Sequence, residues 1–112
     1  MNITVIDTQK LLSQIGTGGV AIAIIEYVKI RSGYLINGIA KAVDRRQVEE
    51  IIEYGAQLNT LALGLYAKPI TLIVDEIILQ ARKEEFSEVN LLLSYLQDMN
   101  KLLKKELDGL LK

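Results

Sequence analysis

LINGIAKAVDRRQVEEIIEY, residues Leu35 to Tyr54, admits two readings. One is a helix-turn-helix whose second helix opens with Arg45, Arg46 and Gln47 toward a DNA groove; the other is two helices packed across a tight turn. Apolar residues recur at three and four on both sides of the Asp44-Arg45-Arg46 junction, so both halves are helical either way. A recognition helix brings Arg, Lys, Asn and Gln to base edges and phosphates in its first turns. Here Glu49, Glu50 and Glu53 follow in the next two turns and would be repelled by the same phosphates, which favours the packed pair.

Working outward, Val48, Ile51, Ile52, Gly55, Leu58 or Asn59, Ala62 and Leu65 continue one apolar row, in which the small Gly55 and Ala62 let a neighbouring helix approach closely. Lys68-Pro69 breaks this helix, and Pro69 suits the first turn of another that runs to about Glu85 and buries Leu72, Ile73, Ile77 and Leu79 or Gln80. Ser87 is expected to cap the last helix, which runs nearly to the end. Its rows Phe86, Leu93, Asn100, Leu107 and Val89, Leu96, Leu103, Leu110 keep heptad spacing, while Leu92 and Met99 widen the stripe. That width favours packing within the chain; a seam between copies is the alternative, with Asn100 fixing its register.

Upstream, Tyr34 to Val43 reads as a short helix, with Asp44 as N-cap of the helix after it. Gly33 is expected to end a central helix from Val20 to Arg31 that is apolar on most faces and therefore buried. Gly16-Thr17-Gly18-Gly19 stops a first short helix, capped by Asp7 and carrying Leu11, Leu12 and Ile15. The chain is thus expected to be all-α: a single helical domain over residues 1–112, a compact bundle of about five to six helices with a long C-terminal helix. No internal repeat is visible.

At 112 residues, half of them apolar, the chain is long enough for one core. It has no cysteine and no histidine, which removes disulfides, thiolate metal sites and the commonest general base. No catalytic motif stands out; QIGTGGVAIA resembles a phosphate loop but lacks its lysine and following hydroxyl, so a non-enzyme without cofactor or metal is expected. The amino terminus has no signal-peptide pattern and no apolar run reaches membrane-spanning length, so the expected setting is cytoplasmic.

Net charge is −1, but it is unevenly distributed. Residues 1–46 carry +3, residues 47–100 carry −6, and the last twelve carry +2. Cations in a helix's first turn oppose its dipole, so Arg45 and Arg46 call for a partner. Pairing with Glu49 and Glu50 at i,i+4 is one account; contact with an external polyanion is the other. Lys29, Arg31, Lys41, Arg45 and Arg46 are therefore the candidate nucleic-acid-binding residues, touching sugar-phosphate without reading sequence. Tyr34 between them is read as a core aromatic, a stacking platform being the alternative.

The order AIAIIEYVKIR, then GYLINGIAKAVDRRQVEEII, then a helical remainder, resembles the small subunit of archaeal type I-A CRISPR (Cascade) surveillance complexes, across roughly Val20 to Leu65. The resemblance implies a helical, non-catalytic protein stacked in several copies beside the guide RNA, with other subunits of that ribonucleoprotein complex and DNA or RNA backbone as partners, and no membrane. The chain is too short for the small β-rich insertion that some members carry. The rival readings are a helix-turn-helix DNA-binding regulator and a helical protein-interaction or immunity module.

Overall fold

The computed structural model describes residues 4–16 and 18–110. They form five helices: α1 (Thr8–Ile15), α2 (Gly19–Asp44), α3 (Val48–Gly64), α4 (Lys68–Arg82) and α5 (Phe86–Gly109). Gly33 does not interrupt α2, contrary to the sequence expectation of two helices there. A glycine inside a helix costs about 1 kcal/mol, whereas each buried Leu or Ile contributes about 1.5–3 kcal/mol. The buried row Val28, Ser32, Leu35, Ile36, Ile39 runs straight past Gly33, so packing outweighs the local preference.

α2, α3, α4 and α5 pack in a closed ring, each on its sequence neighbours, with α5 returning to α2; α1 lies against α2. Facing pairs show the directions. Arg31 meets Gln57 and Gly38 meets Tyr54, so α2 and α3 run antiparallel. Asn59 with Asp75 and Gly55 with Ile78 show the same for α3 and α4, and Lys29 with Asp108 and Gly33 with Lys104 for α2 and α5. Leu35 to Tyr54 is accordingly the top of a long antiparallel hairpin, not two helices meeting at a steep angle.

Two glycines sit at close approaches between helices. A Cβ on Gly38 would stand 2.8 Å from the Tyr54 ring, and one on Gly55 would stand 3.0 Å from Ile78 Cδ1. The Gly55 contact bears out the expectation of a neighbouring helix at that point, and the neighbour is α4.

The three turns between α2 and α5 share one geometry that no sequence repeat announces. Each is a three-residue connection whose middle residue, Arg46, Tyr66 or Glu84, is left-handed at φ 53°, 56° and 58°. The residue after it donates back to the preceding helix: Gln47 to the Ala42 carbonyl at 2.9 Å, Ala67 to Ala62 at 2.9 Å, Glu85 to Gln80 at 3.0 Å. This is the Schellman closure, usually built on glycine. Because it consumes residues 45–47, Asp44 finishes α2 instead of capping α3, whose N-cap position falls to Gln47. Likewise Glu85, not Ser87, precedes α5, and α4 stops at Arg82, short of Glu85. An L-residue at such a φ is strained by about 1 kcal/mol or more, and Glu84 is exposed with no side-chain partner among the described residues. Glu84→Gly is therefore expected to raise the unfolding free energy by about 0.5–1 kcal/mol, read from the denaturant midpoint at unchanged slope.

The core runs along the ring axis. α5 contributes Val89, Leu93, Leu96, Asn100, Leu103 and Leu107, so both heptad rows pack within the chain. α4 buries Ile70, Val74, Ile77 and Ala81; Leu72, expected inside, is exposed, and of the pair Leu79 or Gln80 the leucine is exposed and the glutamine half-buried. Size misled there, since small Ala81 carries the inward row and two leucines lie off it. α2 departs further: it is buried along one face only, leaving Val20, Ile22, Tyr27, Ile30 and Tyr34 exposed.

α1 is capped as expected, Asp7 Oδ1 accepting from the Lys10 amide at 3.1 Å. Before it, residues 4–7 cross the end of the bundle. Val5 and Ile6 are buried, and both of their amides donate to the Glu106 carboxylate of α5, at 2.8 Å and 3.0 Å from Val5 and 3.1 Å from Ile6. The Asp7 amide donates to the Tyr66 carbonyl at 3.2 Å, tying the same strap to the α3–α4 turn. Among the described residues, no helix is long and apolar enough to cross a membrane.

Candidate nucleic-acid interface

The five candidate cations do not form one patch. Lys29 and Arg31 are two residues apart on α2 and point to opposite flanks, one toward α5 and the other toward α3. Lys41 lies twelve residues beyond Lys29, about 18 Å at helical rise. The patch therefore separates into two half-buried cations at mid-helix and three exposed cations at the α2–α3 turn.

Lys29 Nζ sits 2.5 Å from Asp108 Oδ1 and 3.6 Å from Glu26. The Asp108 hydrogen bond, aided by both carboxylates' charge, holds its ammonium above the usual lysine range. Arg31 donates to Gln57 Oε1 at 2.8 Å and lies over the Tyr34 ring, 5.1 Å from its centroid. It stands at the margin of an apolar groove of about 490 Å³ between α1, α2 and α3, walled by Leu11, Ile15, Ile24 and Leu61. Tyr34 is exposed, not a core aromatic as expected, and meets Tyr54 edge-on with centroids 6.3 Å apart. That neighbouring phenol is the main reason the Tyr54 hydroxyl is pushed up from its ordinary value.

At the turn, Arg45 is the C-cap of α2 and Arg46 follows it in the left-handed position. Neither is in the first turn of α3. The dipole conflict read from the sequence is thus removed: cations after the last turn of α2 face its partial negative charge and are stabilised there. Arg45 reaches Glu50 at 3.3 Å, in place of the i,i+4 pairs expected, and Arg46 lies over Phe86, 5.3 Å from the ring centroid. Lys41 is exposed, with no ion pair or side-chain hydrogen bond among the described residues. Exposed pairs such as Arg45 with Glu50 hold by roughly 0–1 kcal/mol, so a phosphate competes for this guanidinium at little cost. The turn from α4 to α5 lies at the same end, where Arg82 and Lys83 add positive charge and Glu84, Glu85 and Glu88 negative.

The outer side of α2 carries a row that sequence reasoning does not single out. Val20, Ala23, Tyr27, Ile30, Tyr34, Asn37 and Lys41 follow each other there at alternating intervals of three and four, and every one is exposed or half-exposed at the surface. The spacing is legible in the sequence, but in a helix apolar on most faces nothing distinguishes the inner row from the outer one.

Among the described residues no cluster of His, Cys, Asp or Glu is placed to hold a metal ion. Gly16 and Gly18, both at positive φ, lead into α2, while Thr17 lies outside the described residues. Compared with known proteins, the chain matches no family model, no curated protein and no solved structure.

Proposed function

We propose that the chain is a non-catalytic subunit of a nucleoprotein assembly, working by contact: the outer face of α2 docks it, and Lys41, Arg45 and Arg46 meet nucleic-acid backbone without reading sequence. The observation that carries this reading is the continuity of the two features. The uncovered apolar row of α2 runs along one helical edge into Lys41 and ends at the arginine turn. Individually, three cations on a chain of net charge −1 neutralise few phosphates, so contact becomes effective when several copies align theirs. Lys29 and Arg31, held by intramolecular partners, drop out of the proposed interface. The type I-A CRISPR surveillance complex, whose small subunit the Val20–Leu65 pattern resembles, is the assembly of this kind to test first.

The alternative of a helical protein-interaction module shares the apolar row and lacks the nucleic acid. Affinity capture of the tagged chain from its host, with sequencing of co-purified RNA, separates the two. Recovery of a ribonucleoprotein supports the proposal, and recovery of protein partners alone replaces it with the module. The doubly charge-reversed variant Arg45→Glu/Arg46→Glu should fold normally, since both side chains are exposed. In the captured assembly it should flatten the slope of log affinity against log salt by about 0.7–0.9 for each phosphate that is no longer neutralised. An unchanged slope would remove these residues from the interface.

A further inference from the structure

The outer row of α2 has the pattern of a coiled-coil seam. Val20, Tyr27 and Tyr34 occupy one heptad position, and Ala23, Ile30 and Asn37 the other. Helix α5 carries two such rows and buries both in its own bundle, whereas this one is left uncovered: Val20 is 71% exposed, Tyr27 61%, Ile30 74% and Tyr34 57%.

We infer that a second copy of this chain covers the row, two α2 helices packing antiparallel about a two-fold axis between Val28 and Lys29. An antiparallel seam sets each residue of one heptad position against the other position of its partner. With the axis there, Tyr34 lies over the partner's Ala23, Tyr27 over the partner's Ile30, and Val20 over the partner's Asn37. In the two Tyr34–Ala23 layers the bulkiest side chain meets the smallest, which is how facing layers interdigitate without voids, and the central layers set tyrosine on isoleucine. The parallel alternative stacks tyrosine on tyrosine and alanine on alanine, leaving alternate crowding and gaps. None of the six seam residues is Asp, Glu, Lys or Arg, and Lys41 falls beyond the partner's first helical turn, so the seam buries no charge from this row.

The area is sufficient for association. Val20, Tyr27, Ile30 and Tyr34 still show on the order of 550 Å² between them, about 1,100 Å² for two copies, which is the low end of specific interfaces. The two-fold contact joins two copies through the face that the proposed function uses for docking, leaves their arginine turns about 50 Å apart at opposite ends, and requires neither nucleic acid nor another subunit.

The test uses the purified full chain without nucleic acid. Sedimentation should give about twice the 12.5 kDa chain mass by roughly 100 µM, the range of a modest interface. Ile30→Glu should weaken the dimer by about 100-fold or more, the scale of a central anchor, with unchanged circular dichroism. Because the chain has no cysteine, single cysteines report the register directly. Ala23→Cys mixed with Tyr34→Cys should form a disulfide-linked heterodimer under mild oxidation, and neither variant should crosslink with itself. Self-crosslinking of Ala23→Cys would show a parallel seam and overturn the two-fold arrangement. A wild-type chain that stays monomeric, or an Ile30→Glu variant that dimerises normally, would overturn the inference as a whole. Failure of the dimer leaves the salt-slope result for Arg45→Glu/Arg46→Glu free to stand, so the two readings fail separately.

Discussion

Replacing Leu96 by alanine is expected to lower the unfolding free energy by about 3–4 kcal/mol, within the span measured for fully buried leucines. Leu96 is completely buried in α5 between Val89 and Leu103, and the buried residues of both α5 rows, from Val89 to Leu107, pack into the same bundle. The loss combines transfer of three carbons to water with a cavity that the surrounding helices, tied by short turns, close only partly. The measurement is chemical denaturation at several protein concentrations. Since the row packs within the chain, the loss should be the same when measured on monomeric protein. A loss that disappears on dilution would mean that α5 is instead holding copies together.

The second large effect concerns the strap across the base of the bundle. Glu106→Ala removes the charged acceptor of two N–H groups, leaving the amides of buried Val5 and Ile6 without it. Hydrogen bonds to charged groups are worth about 1.5–3 kcal/mol each, but the strap sits at an edge of the bundle and recovers part of this by fraying to water. A loss of about 2–3 kcal/mol is expected, together with rapid amide hydrogen exchange at Val5 and Ile6 while the α5 core amides remain slow. Global unfolding at unchanged protection of the strap would contradict this account of Glu106.

Legibility of the fold in the sequence depended on what decided each feature. The helical class, the Asp7 cap, the Lys68-Pro69 break and both rows of α5 follow from spacing and cap chemistry, because for those segments the local preference and the packing agree. Gly33 was misleading because its stop signal is local, whereas Leu35, Ile36 and Ile39 beyond it are held by the rest of the bundle. The turns were misplaced by one to three residues because a Schellman closure on Arg46, Tyr66 and Glu84 carries no glycine to mark it. Glu106 could not be assigned to Val5 from sequence: the pair is separated by about a hundred residues and joined by backbone amides, which every residue but proline has.

The candidate site was less legible than the fold. Residue type identified five cations, but only packing shows that Lys29 is claimed by Asp108 and Arg31 by Gln57, while Lys41, Arg45 and Arg46 remain together at an exposed turn. The apolar outer face of α2 was hidden for the opposite reason. A segment apolar on most faces predicts a buried helix, yet a helix in a ring of four has neighbours on two flanks and the axis, and its fourth side is open.

That open side is where the account is most directly tested, and the chain carries its own reporters. Tyr27 and Tyr34 lie in the α2 row; Tyr95, similarly exposed, lies on α5 away from it. Oxidative footprinting of these three tyrosines should be followed by mass spectrometry across a concentration series, and again in the captured assembly. The expected result is several-fold protection of Tyr27 and Tyr34 as copies associate, with Tyr95 unchanged. Equal reactivity of all three tyrosines at every concentration and in the assembly would show that α2 is not the docking face.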